Sequence, residues 1–284
     1  MTTLLAIELF DLQFNTQFNT QLNTQLSPQP NPQLNMQIDW QIILEIAAAF
    51  LCGSIPFGVL IAKSKGVDLR KVGSGNVGAT NVGRALGRKW GFMCFALDAI
   101  KGALPVLIIG QFNGVLGRQV NTISPTALIV WIVIAIAAIA GHIFSPWLKF
   151  KGGKGVATGF GALVAMWPVL TYPMLIALAV WIVCMKLSRI VSLSSLIAAL
   201  TLPISAALLL PWNTITQKLA TESSAPTSPA PLETTSGTPL PAVVACAMIA
   251  ALVFITHRAN IKRLLLGTES RVGQKPKSSD TIPL

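Results

Sequence analysis

Between Arg118 and Lys149 the chain carries no Asp, Glu, Lys or Arg, and from Pro125 to Leu148 it is almost wholly apolar. About 20 such residues suffice to cross the hydrocarbon of a bilayer as a helix. In lipid a run of this kind has little choice but to be helical, because each backbone N–H and C=O must pair within the segment. Further apolar runs follow the same pattern. Seven read as spans: Trp40–Ala62, Gly91–Gly110, Pro125–Leu148, Val156–Leu170, Tyr172–Leu187, Val191–Leu210 and Leu240–Thr256. Charged residues make up 11% of the chain, against about 25% in soluble domains. The alternation of a membrane barrel is absent. The expected fold is an all-α integral membrane protein, a seven-transmembrane-helix bundle. The fourth and fifth spans are short, with a Tyr172–Pro173 turn expected between them; the alternatives are one tilted, kinked pair or a re-entrant element.

The flanking segments differ in character. Residues 1–39 repeat Q-F-N-T-Q-F-N-T-Q-L-N-T, a low-complexity extension with little to bury, expected to be disordered. It lacks the basic start of a secretory signal, and Glu8 interrupts its short apolar patch. Residues 212–239 are rich in Ser, Thr and Pro and read as an extramembrane insert; residues 271–284 read as a tail. Cys52, Cys94, Cys184 and Cys246 each sit in an apolar run with no C-x-x-C pairing, so they read as buried small residues rather than a disulfide framework.

Basic residues set the orientation. Eighteen of the 21 Lys and Arg fall in the first, third and fifth connections and the tail, whereas the opposite side holds Arg118 and Lys218. With seven spans this predicts an external N-terminus and a cytoplasmic C-terminus.

The polar residues of unusual type gather on that predicted cytoplasmic side. Gly141–Gly161 carries Lys149, Lys151 and Lys154 among Gly152, Gly153 and Gly155, just before a predicted helix start at Val156. Glycines, cations and the unsatisfied N–H groups of a helix start together suit an oxyanion. It is not a Walker A loop, since Gly155 stands where Ser or Thr is required; the plain alternative is a basic loop against lipid headgroups. A second basic stretch, Asp68–Gly87, offers Gly73, Gly75 and Gly78 for tight turns, Arg70 and Arg84 for phosphate, and Ser74, Asn76, Thr80 and Asn81 for hydrogen bonds. Its alternative is an interfacial amphipathic turn. Asp98 and Lys101 lie inside a span, three apart on one helical face. Ionisable groups there are costly and usually functional, so Lys101, oriented by Asp98, is expected to face the phosphates. Ser192, Ser194 and Ser195 open the sixth span, where simple capping is the alternative role. His257, Asn260 and Glu269 begin a tail expected to fold back over the same face. His142, near the end of its helix, is a candidate base or a structural hydrogen-bonder.

Taken together, G-S-I-P-F-G (53–58), D-L-R-K-V-G-S-G-N-V-G-A-T-N-V-G-R (68–84), D-A-I-K-G (98–102), the 141–158 stretch, S-R-I-V-S-L-S-S (188–195) and H-R-A-N-I-K-R-L-L-L-G-T-E (257–269) resemble, in order, the bacterial membrane glycerol-3-phosphate acyltransferases that use acyl phosphate, the PlsY family. The resemblance covers residues 41 to about 270. It implies a seven-span acyltransferase domain over 40–270 in the bacterial inner membrane, with its active site on the cytoplasmic face. It implies acyl transfer from acyl phosphate to the sn-1 hydroxyl of glycerol 3-phosphate. The partners it implies are those substrates, membrane lipids and an upstream enzyme that forms the acyl phosphate. It implies no cofactor, metal, acyl-CoA, acyl carrier protein or nucleic acid. On this reading Arg70, Lys101 and Lys154 carry phosphate charge, with Ser74, Asn76, Asn81 and Ser194 orienting. The base stays open between His142, His257 and a substrate phosphate. A transporter should show repeats and midplane groups, a two-metal enzyme clustered carboxylates. An H-x-x-x-x-D acyltransferase would need Asp where Trp147 and Lys262 stand.

Overall fold

The computed structural model describes residues 40–211 and 238–273. The expectations for the extension, for residues 212–237 and for the tail beyond residue 273 fall outside the described residues. Among the described residues ten α-helices follow in order: α1 Trp40–Ser54, α2 Phe57–Lys63, α3 Ala79–Leu86, α4 Arg88–Phe112, α5 Pro125–Ile143, α6 Val156–Ala165, α7 Thr171–Ser188, α8 Val191–Leu209, α9 Leu240–Thr256 and α10 Arg258–Leu265. Among the described residues five stretches are long and apolar enough to cross a membrane: Trp40–Lys63, Arg88–Phe112, Pro125–Leu148, Thr171–Ser188 and Val191–Leu209. The apolar helix α9 passes that test only together with α10, from which it is bent by 63°.

Two boundaries differ from the sequence reading. The first span is broken at Ile55–Pro56, because Pro56 cannot donate a helical hydrogen bond. The fourth expected span, Val156–Leu170, is helical for ten residues only, about 15 Å of rise against a hydrocarbon thickness of about 30 Å. Its break falls at Met166–Leu170, not at Tyr172–Pro173. Pro173 is instead the third residue of α7, where the missing N–H has no intrahelical partner to lose.

Small residues let the helices approach one another, as packing without a hydrophobic drive between helices requires. A Cβ on Gly53 would lie 2.0 Å from the Ala138 carbonyl oxygen, and one on Gly141 would lie 2.1 Å from that of Phe50, so α1 and α5 cross backbone to backbone. Gly102 against Thr158 and Gly161 against Ala99 do the same for α4 and α6. Gly110 admits the Trp131 ring, whose Nε1–H donates to the Val106 carbonyl at 3.0 Å. Pro105 leaves the Lys101 carbonyl without its helical donor; the Cys52 thiol lies 3.4 Å from that oxygen and donates to it. Large apolar side chains such as Leu44, Phe92, Ile100 and Leu208 stay on the outside, the surface a bilayer would cover.

Candidate active site

The 68–78 segment is shaped from within. Asn81, fully buried on α3, accepts from the Ser74 N–H at 3.0 Å and donates to the Leu69 and Val72 carbonyls at 3.1 and 3.0 Å. Its amide therefore holds the loop, a role its sequence position did not show. Asn76 accepts from the Gly78 N–H at 2.9 Å, just ahead of the α3 start. Gly73 and Gly75 adopt left-handed backbone, and a Cβ on Gly73 would strike Asn81 Oδ1 at 2.5 Å. Ser74, Thr80, Arg70 and Arg84 are left exposed on the outer side.

The 149–155 loop folds back onto the end of α5. Gly152 and Gly153 donate to the Ile143 and His142 carbonyls at 2.9 and 3.1 Å. The Arg70 guanidinium donates to the Lys151 carbonyl, joining the two glycine-rich stretches. Lys149 and Lys151 point outward, and Gly155 enters α6 with φ +81, where a side chain would be strained. Lys154 turns inward and its Nζ donates to Asn260 Oδ1 on α10.

From Asn260 the network spreads. Its Nδ2 donates to Glu269 Oε1 at 2.6 Å, Ser192 donates to the same oxygen at 2.7 Å, and Arg263 Nε donates to Oε2 at 2.6 Å. The Val272 N–H donates to the Arg189 carbonyl at 2.8 Å, which returns the tail to the turn before α8. One carboxylate thus ties the tail, α10 and the start of α8. Burial raises the Glu269 pKa, but the hydrogen bonds from Asn260, Ser192 and Arg263 outweigh it and hold the group below its ordinary value. Burial lowers Lys154 to about 8; Glu269 opposes that shift, while Arg263 and Arg84 add to it. Burial and then Lys154 lower His257 to about 4, so its ring is neutral at pH 7. A carbonyl can only accept, so His257 Nδ1 carries the proton it donates to Val253 at 2.8 Å. Nε2 keeps its lone pair.

His142 and Lys101 belong to a second, deeper polar centre. Lys101 Nζ lies 2.7 Å from Asp98 Oδ1 and donates to the Ile55 carbonyl at 2.6 Å, at the break between α1 and α2. His142 Nδ1 lies 3.7 Å from the same Asp98 oxygen, and its Nε2 packs where a Cβ on Gly153 would fall, 2.1 Å away. Ile55, Phe57, Val77, Asp98, His142 and Gly153 line the small cavity around Lys101. Lys101 is only 3% exposed, and its known partners are protein groups rather than open phosphate positions.

Two expected anion groups are turned away. The Ser194 hydroxyl donates to the Ile190 carbonyl and that of Ser195 to Val191, each one turn back. Ser192 alone of the three faces the tail. Arg263, which sequence reasoning did not select, is central; its signal was its spacing, three residues after Asn260 and so on the same helical face. Among the described residues no three His, Cys, Asp or Glu gather as metal ligands.

Fold and site together define a multi-pass helical membrane protein with a cation-rich polar site at one end of its bundle. The glycerol-3-phosphate acyltransferase family profile matches residues 43–267. The glycerol-3-phosphate acyltransferase of Desulforamulus reducens is 39% identical over 234 residues, 82% of this chain and 96% of the relative. That of Anaeromyxobacter sp. strain K is 40% identical over 81% and 96%. The solved structure of PlsY (YgiH), an integral membrane glycerol 3-phosphate acyltransferase, in its glycerol 3-phosphate form, superposes with a TM-score of 0.62 at 36% identity, covering 82% of this chain and 96% of that one. The chain belongs to the glycerol-3-phosphate acyltransferase family of the PlsY kind, and it is an acyltransferase of lipid biosynthesis.

Proposed function

We propose that the protein transfers the acyl chain of an acyl phosphate to the sn-1 hydroxyl of glycerol 3-phosphate, giving lysophosphatidate and inorganic phosphate. The observation that carries this reading is one hydrogen-bonded cluster of Lys154, Asn260, Arg263, Glu269 and Ser192, drawn from the 149–155 loop, α10, the tail and the start of α8, with His257 next to Thr256, whose hydroxyl donates to the Lys154 carbonyl at 3.3 Å. A relative solved in its glycerol 3-phosphate form supports the acceptor.

In the reaction the acceptor oxygen attacks the acyl carbon, the bond from that carbon to the phosphate oxygen breaks, and phosphate leaves with the electron pair. Lys154, Arg84 and Arg263 stabilise the phosphate charge, and Arg70, Ser74, Thr80, Lys149 and Lys151 border the same face. Holding both phosphates side by side supplies the effective concentration of the hydroxyl. His257 Nε2, with its tautomer fixed, accepts the hydroxyl proton. His142 is separated from these cations by the Gly152–Gly153 backbone it supports. It and Lys101 serve as positioning residues beneath the loop. Asn81, Asn76, Gly73, Gly75 and Gly78 shape the opposite wall; Asn260, Glu269 and Ser192 hold Lys154 in place.

The basic end faces the cytoplasm and the N-terminus lies outside, in the inner membrane. Seven crossings are supported by the Gly117 N–H, which donates to the Trp167 carbonyl at 2.9 Å. That bond joins the α6–α7 connection to the α4–α5 connection, away from the basic loops, which supports reading α6 as a short crossing. An upstream enzyme that acylates phosphate must supply the donor. The test offers purified protein palmitoyl phosphate, palmitoyl-CoA and palmitoyl-acyl carrier protein in parallel, with glycerol 3-phosphate as acceptor. Turnover is expected with palmitoyl phosphate alone. Equal turnover with a thioester would overturn the donor, and no transfer with any would overturn the reaction.

A further inference from the structure

Helix α10 has two faces of different kinds. Asn260 and Arg263 point inward, to Lys154 and Glu269. Arg258, Lys262, Leu265 and Leu266 point outward and are exposed, the two leucines by 84% and 64%. These four are spaced i, i+4, i+7 and i+8, a single helical stripe. The helix leaves α9 at 63° immediately after the last apolar residues of that span, so it turns out of the span direction at the level where hydrocarbon meets water. At eight residues it is about 12 Å long, which keeps both leucines near that level. Two exposed leucines with two cations on one face suit the headgroup boundary of a membrane carrying negative charge. They do not suit bulk water.

We propose that α10 is an interfacial helix seated on the anionic phospholipid headgroups of the leaflet it leaves, and that this seating aligns Asn260 and Glu269 on Lys154. The active site is thereby coupled to the surface charge of its own membrane. The coupling follows from rigidity: the outward face touches lipid, while the inward face of the same two turns carries the hydrogen bonds that fix Lys154. Each cation near an anionic surface favours seating by about fivefold, the pair by about 30-fold.

The effect on turnover rests on the acyltransferase reading; the seating itself does not. The full-length protein is placed in lipid nanodiscs of phosphatidylcholine alone or with phosphatidylglycerol at about one third. Hydrogen exchange over residues 258–269 and acyl transfer are read in both. Exchange over that segment is expected to slow, and kcat/KM to rise several-fold, in the anionic discs. Arg258→Gln/Lys262→Gln should lose both responses while keeping wild-type turnover in detergent. Leu265→Gln/Leu266→Gln should raise exchange in both lipids. Exchange indifferent to lipid charge, or a double cation variant that still responds in full, would overturn the seating. Slowed exchange with no acyl transfer in any lipid would uphold the seating and overturn the reaction instead.

Discussion

Replacing Gly152 by Ala tests whether the 149–155 loop positions the chemistry. A Cβ there would lie 2.0 Å from the His142 carbonyl oxygen and 2.7 Å from that of Ile143. Both are backbone atoms at the end of α5, so no side-chain rotation relieves the contact. Ordinary contact begins near 3.4 Å, and the loop must lift by about 1.4 Å. Lys154, two residues on, then leaves hydrogen-bond range of Asn260, a range that ends near 3.2 Å. Misplacement on the order of 1 Å costs on the order of 100-fold in rate, about 2.7 kcal/mol of transition-state stabilisation. Transfer from palmitoyl phosphate to labelled glycerol 3-phosphate, with a thermal melt in the same detergent, measures both sides. The internal control is Gly159→Ala in α6, where the new Cβ meets Ile139 Cδ1 at 3.6 Å. That variant should keep its turnover and gain roughly 0.5–1 kcal/mol from helix propensity. A Gly152→Ala enzyme with wild-type kcat/KM would refute the positioning argument.

Two further outcomes are expected. Lys154 loses its proton above about pH 8 in the free enzyme, so kcat/KM should fall as pH rises through that value; Lys154→Arg, which stays charged, should remove this alkaline limb even if its peak rate is lower, and a pH–rate profile decides. Asp98→Ala strands the Lys101 charge in a buried setting, where losing one partner costs about 3–5 kcal/mol. Asp98→Leu/Lys101→Met, which removes both charges at similar volume, should melt far closer to wild type.

The parts legible in sequence were those set by local pattern. Apolar runs placed the long helices. The spacing of Asp98 and Lys101 announced their ion pair, and glycine with lysine marked the loop before α6. The breaks were not legible for a physical reason. Residues 156–170 are apolar apart from Thr158, and hydropathy cannot tell a helix from apolar turns. Tyr172–Pro173 looked like the stop because proline breaks a helix interior, yet in a first turn it breaks nothing. Side-chain direction was equally hidden. Asn81 and Ser194 have the chemistry of phosphate ligands, but the fold turns the Asn81 amide toward Leu69 and Val72 and the Ser194 hydroxyl toward Ile190. His142 and His257 differ in the same way. One supports a glycine backbone beside Asp98, and the other donates its Nδ1 proton to Val253 and leaves Nε2 free. Composition makes the two histidines equivalent; the group that each ring meets, the Asp98 carboxylate for His142 and the Val253 carbonyl for His257, tells them apart.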